Sequence, residues 1–171
     1  MTLRVEPWSG DTCRHVAAGS SPLDATRAGR GRNRWNLPGE PTHYLASSRE
    51  VAAAEWLRHL RDAGVPAGAP VPPRDLYLVT IDLARTVDLR DAENQAQLSI
   101  GDMSRLVLDA VAARALATFV RSALDVDAMW VPSIAFLDRP DEGNLVVFLE
   151  RLGRPLAEVA TARPLGTLTL P

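Results

Sequence analysis

The period of apolar and polar positions changes several times along the 171-residue chain, and each change predicts an element. Thr42–Ala46 (THYLA) alternates with period two, as a strand does. Ser47, followed three residues later by Glu50, has the pattern of a capping box. The run VAAAEWLRHLRDA then carries helix formers, and Gly64 with Pro66 supplies a stop, which predicts a helix over about 48–63. DLYLVTIDL is rich in β-branched and aromatic residues and predicts a strand at about 76–83. After Gly101-Asp102, the residues Leu106, Val107, Ala110, Val111, Leu116, Phe119 and Val120 recur near helical spacing. They predict a second long helix, broken near Ala113. AMWVPSIAF and NLVVFLE, separated by the turn-like DRPDEG, read as two core strands. CRHV reads as a short strand and LGTLTL as an edge strand, while SSPLDATRAGRGRNR and the stiff VPAGAPVPPR read as loops. Strands outnumber helices in a mixed order without internal repeats, so the fold class expected is α+β.

Composition narrows the function classes. Hydrophobic residues make up 46% and charged residues 23%, the balance of an ordinary globular domain. A net charge of −2 gives no bulk attraction to nucleic acid or to an anionic membrane. All 19 basic residues are arginine, so an anion site here would use planar, permanently charged forks. Cys13 stands alone, which excludes an internal disulfide and a cysteine-only zinc site, and it is expected to be buried and inert. The N-terminal residues lack the apolar run of a signal peptide, and no stretch approaches the roughly 18 apolar residues of a membrane span. A cytoplasmic protein is expected.

Candidate chemistry concentrates between Arg34 and Glu55. Arg34 and Trp35 lie in a loop, Tyr44 in the following strand, and Glu55 on the second turn of the next helix. Ala52, Ala53 and Ala54 leave little bulk over the Glu55 carboxylate, so a ligand has room there. The strand-to-helix turn is expected to bring Arg34, Tyr44 and Glu55 together. Ordinary structural roles stand beside this one. Glu55 with Arg58 and His59 fits helical i,i+3 and i,i+4 pairing. Tyr44 fits a core tyrosine, Arg14 a pairing with Asp11 or Asp24, and Arg27, Arg30, Arg32 and Arg34 a solvated basic loop.

Three motifs in order resemble the RES domain family, named for its Arg, Glu and Ser. Arg34-Trp35-Asn36 is followed by a Gly-Pro-bearing turn, by Tyr44-Leu45-Ala46-Ser47-Ser48, and by a helix with Ala52-x-x-Glu55-x-x-x-His59. Val131-Pro132-Ser133-Ile134-Ala135 precedes Asn144-Leu145-Val146, and Cys13-Arg14-His15-Val16 stands where the family has an early arginine. The resemblance is clearest over 14–148. Arg32-Asn33 departs from the family's usual paired glycines, and Ile134 from its commoner alanine.

The resemblance implies a single RES domain over 1–171, with an ADP-ribosyltransferase-like split β-sheet and flanking helices. It implies an enzyme that consumes NAD by breaking the nicotinamide–ribose bond, passing ADP-ribose to inorganic phosphate or to water, and it assigns no cofactor and no metal. Glu55 would stabilise the electron-poor ribose. Arg14 and Arg34 would hold the diphosphate or an incoming phosphate, and Tyr44 would stack on nicotinamide or hydrogen-bond nearby. Ser133 would bond the ribose or orient Glu55; no base for it is identifiable, so it is not assigned as a nucleophile. Trp35 and Asn36 are expected substrate contacts, with a core lid and a turn lock as their alternatives. Asn144 is compatible with capping a strand. The family's partner is an antitoxin with a helix-turn-helix domain, and a homo-oligomer is compatible with it; neither a membrane nor direct nucleic-acid contact is implied. Two rivals remain: ADP-ribosyl transfer to a macromolecule, and nucleic-acid binding through the arginine-rich loop 27–34.

Overall fold

The computed structural model describes residues 3–139, 141–168 and 170. Six strands form one mixed sheet: β1 (Val5–Ala17), β2 (Thr42–Ala46), β3 (Arg74–Asp88), β4 (Ala128–Pro132), β5 (Gly143–Phe148) and β6 (Ala160–Thr167). The helices are α1 (Arg49–Asp62), α2 (Ala92–Gln97), α3 (Met103–Leu108), α4 (Ala110–Ala123) and α5 (Leu156–Val159). The α+β class expected from the pattern is the one observed.

The sheet closes on itself, and here the split-sheet expectation needs correction. β1 pairs with β3 along almost its whole length, β3 with β4, β4 with β5, β5 with β2, and β2 meets β1 at Cys13↔Ala46. On its other edge β3 pairs first with β6, from Asp75 to Ile81, and then with β4, from Thr86 to Asp88, so the sheet forks along that strand. The β3–β4 pair is parallel, and the crossover it requires consists of α2, α3 and α4.

Period-two alternation puts two apolar faces on the short strands. Ala128, Trp130, Leu145 and Val147 join Leu45, Val79, Ile81 and Leu83 in a cluster fed by β2 to β5. Met129, Val131, Val146 and Phe148 face the other way, against Val107, Ala113, Ala117 and Val120 of α3 and α4. Burial on both faces explains why these strands read as continuous apolar runs. A third cluster (Val51, Ala52 and Ala53 with Cys13, Ala46 and Leu76) seats α1 on the sheet. Cys13 is buried, as expected.

Several boundaries differ from the sequence reading. The N-cap of α1 is Ser48, whose hydroxyl accepts from the Val51 amide, whereas the Ser47 hydroxyl is spent on Glu142 and the Gly143 amide. Gly64, at φ 75°, ends the helix as predicted. The long helix breaks at Asp109 rather than near Ala113, because the Asp109 carboxylate accepts from the Val111 and Ala112 amides and restarts the helix as α4. Of the residues that recur near helical spacing, Val111 and Phe119 are exposed while Val120 is buried, and Ala113 and Ala117 share its buried face of α4. β1 and β3 are far longer than CRHV and 76–83. The edge strand lies at Ala160–Thr167, so it starts earlier than LGTLTL and shares only 165–167 with it; Thr169 of that run lies outside the described residues. No helix among the described residues is long and apolar enough to cross a membrane.

Candidate active site

α1, β1, β2, the ends of β4 and β5, and the loop before β2 surround a cleft of about 540 Å³. Arg14, Arg34, Trp35, Tyr44 and Glu55 all line it, so residues 41 positions apart in sequence share one concavity. Glu55 sits one helical turn beyond the buried Val51–Ala53 segment, and the side chain is 20% exposed. Its two oxygens have different company. Oε1 accepts from the Ser133 hydroxyl at 2.7 Å and the Asn144 amide at 3.3 Å. Oε2 accepts from Arg58 Nη2 at 3.1 Å and Nε at 3.2 Å. Hydrogen bonds and one ion pair thus fix the carboxylate while its head stays at the cleft wall.

Ser133 has no exposure at all and does not line the cleft. Of its two expected roles, this leaves that of orienting Glu55 and removes direct contact with a ribose. Its oxygen also accepts from the Ala135 amide at 3.1 Å. Asn144, read as compatible with capping a strand, lines the cleft and holds Glu55. Both depend on the β4–β5 junction. Pro132 pairs with Gly143, and the Ser133 amide donates to the Glu142 carbonyl at 3.0 Å. A side chain at position 143 would drive its Cβ into the Val131 carbonyl oxygen, so only glycine permits this approach.

The guanidinium groups of Arg14 and Arg34, unlike that of Arg58, are held by backbone oxygens rather than by carboxylates. Arg14 Nη1 donates to the Tyr44 carbonyl at 2.7 Å, and neither Asp11 nor Asp24 forms an ion pair with it. Burial, then the nearby Arg74 cation, brings Arg14 down to about 10, which leaves it charged at neutral pH. Arg34 Nη1 donates to the Val107 carbonyl at the C-terminal end of α3, where a helix favours a cation. Burial and the neighbouring Arg58 lower the Arg34 pKa. The Nε of each arginine is buried with no partner among the described residues. Unspent donors on a charged group cost roughly 1–3 kcal/mol each.

Tyr44 donates its hydroxyl to Asn36 Oδ1 at 2.7 Å, and burial pushes the phenol above its ordinary range, so it remains a neutral donor. Of the two readings of Asn36, substrate contact and turn lock, the geometry fits the turn lock. Asn36 is 1% exposed, it does not line the cleft, and its amide donates to the Gly31 and Leu37 carbonyls at 2.8 and 2.9 Å. It locks the turn and aims Tyr44. Trp35, 3% exposed, packs with Val87, Leu89 and Phe148 and supplies floor to the cleft, which makes it chiefly a core side chain.

The Arg32-Asn33 departure costs no backbone strain. Positive φ in this loop is carried by Gly29 and Gly39, and Asn33 bridges to Asn36 across the Trp35 bend. The basic loop is not a uniform surface stripe, since Arg34 turns inward while Arg32 lines the cleft. Arg58, Arg114, His15, Trp56 and His59 complete the walls. Arg58 was legible as a helical partner of Glu55, and His15 stood in the motif around Arg14 without a role of its own; Arg114 carried no signal linking it to the site.

The family model described as RES domain matches residues 7–170. Among solved structures, the chain is similar to one in the crystal structure of the M. tuberculosis MbcT–MbcA toxin–antitoxin complex, with a TM-score of 0.72 and 22% identity. That match covers 97% of this chain and 86% of the other, and at such identity it is a likeness of fold. No curated protein sequence matches the chain. With nearly its whole length inside the family model, the chain belongs to the RES domain family.

Proposed function

We propose that the cleft binds NAD and breaks its nicotinamide–ribose bond, passing ADP-ribose to inorganic phosphate or, in its absence, to water. The observation that carries this is the Glu55 carboxylate, fixed by Ser133, Asn144 and Arg58 at the wall of a cleft that also holds Arg14, Arg34 and Tyr44. In the reaction the C1′–N bond breaks and its electron pair stays on nicotinamide, which leaves neutral and needs no acid. A phosphate oxygen then bonds to C1′. The barrier is the oxocarbenium character of the ribose. A carboxylate about 5 Å from that charge at an effective dielectric of about 20 is worth ~3 kcal/mol, realised only as the charge develops.

Arg14 and Arg34, both on the cleft wall, offer guanidinium forks to the diphosphate. Tyr44, neutral and held by Asn36, offers an aromatic face or hydroxyl near the leaving pyridine. His15 is unsuited to acid catalysis, because burial and Arg74 hold it down to about 3. The likeness to a chain of a toxin–antitoxin complex supports a toxin restrained in the cytoplasm by an antitoxin, for which the family implies a helix-turn-helix domain.

Nicotinamide release from NAD, measured with and without phosphate on purified protein freed of any inhibitor, tests the proposal. Release that phosphate accelerates is expected. Folded protein that releases none under either condition defeats it, and labelled ADP-ribose on a macromolecule instead of on phosphate would establish transfer to that target.

A further inference from the structure

A second cavity, of about 200 Å³, opens at the other end of the β1–β3 pair and shares no lining residue with the cleft. Local chemistry explains the opening. Between Glu6↔Thr86 and Trp8↔Leu83 the register takes three steps on β3 against two on β1, and the intervening β1 residue is Pro7, which has no amide proton to pair. The Ala84 and Arg85 amides at this bulge donate to the Asp127 carboxylate at 3.1 and 3.0 Å. Strand register then sets the lining. Thr86 stands opposite Glu6, and Asp88 opposite Trp130, so these four side chains share one face.

Two polar groups on that face have no hydrogen-bond partner among the described residues, the Trp130 indole N–H and the Thr86 hydroxyl. Both residues line the cavity, and they are only 4% and 5% exposed. Buried polar groups are costly to leave unpaired, and few persist in folded proteins. The carboxylates around them are engaged, Glu6 with Arg4 at 2.7 Å, Asp88 with Arg90 at 2.7 Å, and Asp91 with the Glu93 and Asn94 amides at 2.9 and 3.0 Å. Glu6, Asp88 and Asp91 set against Arg4 and Arg90 leave one surplus negative charge, which disfavours an anion. Arg90 also lies over the Trp130 ring, 4.5 Å from its centroid, so a cation already holds that face. What the wall still offers is one N–H donor, one hydroxyl able to donate or accept, and the apolar surface of Trp8 and Pro7. The space falls below the roughly 300–1,000 Å³ of drug-sized sites, which limits the occupant to a single small ring.

We propose that this cavity binds one small, neutral, planar aromatic amide, whose carbonyl accepts from the Trp130 indole and whose NH₂ donates to the Thr86 hydroxyl. Nicotinamide, released in the reaction proposed above, belongs to this class, and only that choice of occupant rests on the NAD reading. The four tryptophans provide the assay. Full-length protein labelled with ¹⁵N in tryptophan is titrated with nicotinamide, with anionic nicotinate and with cationic 3-(aminomethyl)pyridine, and each indole N–H signal is followed. A saturable shift of the Trp130 signal with nicotinamide is expected, with both charged analogues weaker by about tenfold or more. Thr86→Val and Trp130→Phe, the second followed through Trp8, should each weaken nicotinamide binding about tenfold, the loss of one buried hydrogen bond. Thermal melts on the same samples establish that each variant is folded. Shifts confined to Trp35 and Trp56, which line the catalytic cleft, would overturn the proposal. So would a charged analogue that binds as tightly as the amide, or binding that neither substitution changes. A Trp130 shift in protein that never releases nicotinamide from NAD would defeat the proposed reaction and leave this site standing.

Discussion

Glu55→Gln removes one charge and keeps the side chain's shape, so its consequences separate charge from packing. In the native site Oε1 accepts from Ser133 at 2.7 Å and Asn144 at 3.3 Å, and Oε2 accepts twice from Arg58. An amide has one acceptor oxygen. If that oxygen keeps Ser133, the new NH₂ faces the Arg58 guanidinium, donor against donor. The loss of charged hydrogen bonds on one side costs roughly 1–3 kcal/mol, and Asp62, which still holds Arg58, keeps it toward the low end. A melting temperature lower by about 2–6 °C follows for a domain of this size. Catalysis should suffer differently. Losing ~3 kcal/mol of attraction to the ribose cation lowers kcat about a hundredfold. The substrate diphosphate is an anion, so removing a nearby negative charge should leave KM unchanged or lower it. The assay is steady-state nicotinamide release at saturating phosphate, with a thermal melt on the same preparation. A kcat within threefold of wild type, or a loss confined to KM, would refute the electrostatic role assigned to Glu55, since either result marks uniform binding.

Three further outcomes are expected. Glu142 accepts from the Ser47 and Ser48 hydroxyls at 2.7 and 3.0 Å and so ties the start of α1 to the turn before Asn144; Glu142→Ala should lower kcat several-fold with KM little changed, and Glu142→Gln should restore part of it, whereas equal behaviour of both would contradict a positioning role. Gly143→Ala must separate β4 from β5 to clear the Val131 carbonyl and should destabilise by about 2 kcal/mol or more in chemical denaturation; a neutral effect would show that the junction yields. His15, lowered to about 3 by burial and by Arg74, Arg14 and His59, and His43, also held low by burial, are neutral in the fold and gain a proton on unfolding. Stability should therefore be full above the unfolded value near 6.5 and fall toward pH 3, at up to ~1.4 kcal/mol per pH unit for each histidine; denaturation midpoints that match at pH 8 and pH 5 would exclude this.

Local chemistry was enough to predict β2, α1 and its Gly64 stop, and the ordered motifs around Arg14, Arg34, Tyr44, Glu55 and Ser133 were enough to recognise the family. Such signals reach a few residues along a strand or one turn of a helix, the range over which alternation, capping and φ preferences act. They misjudged what competing local options left open, as between Ser47 and Ser48 for the cap and between Ala113 and Asp109 for the helix break. Only the tertiary structure brought Ser133 and Asn144, 78 and 89 residues beyond Glu55, onto its one carboxylate oxygen. It alone buried Asn36 away from the cleft, sank most of Trp35 into the core, closed the ring of strands through Cys13↔Ala46, and set Arg114 beside the loop bearing Arg32. Strand register and helix seating are decided by which apolar faces can be buried together across the whole chain, and no window of neighbouring residues contains that information.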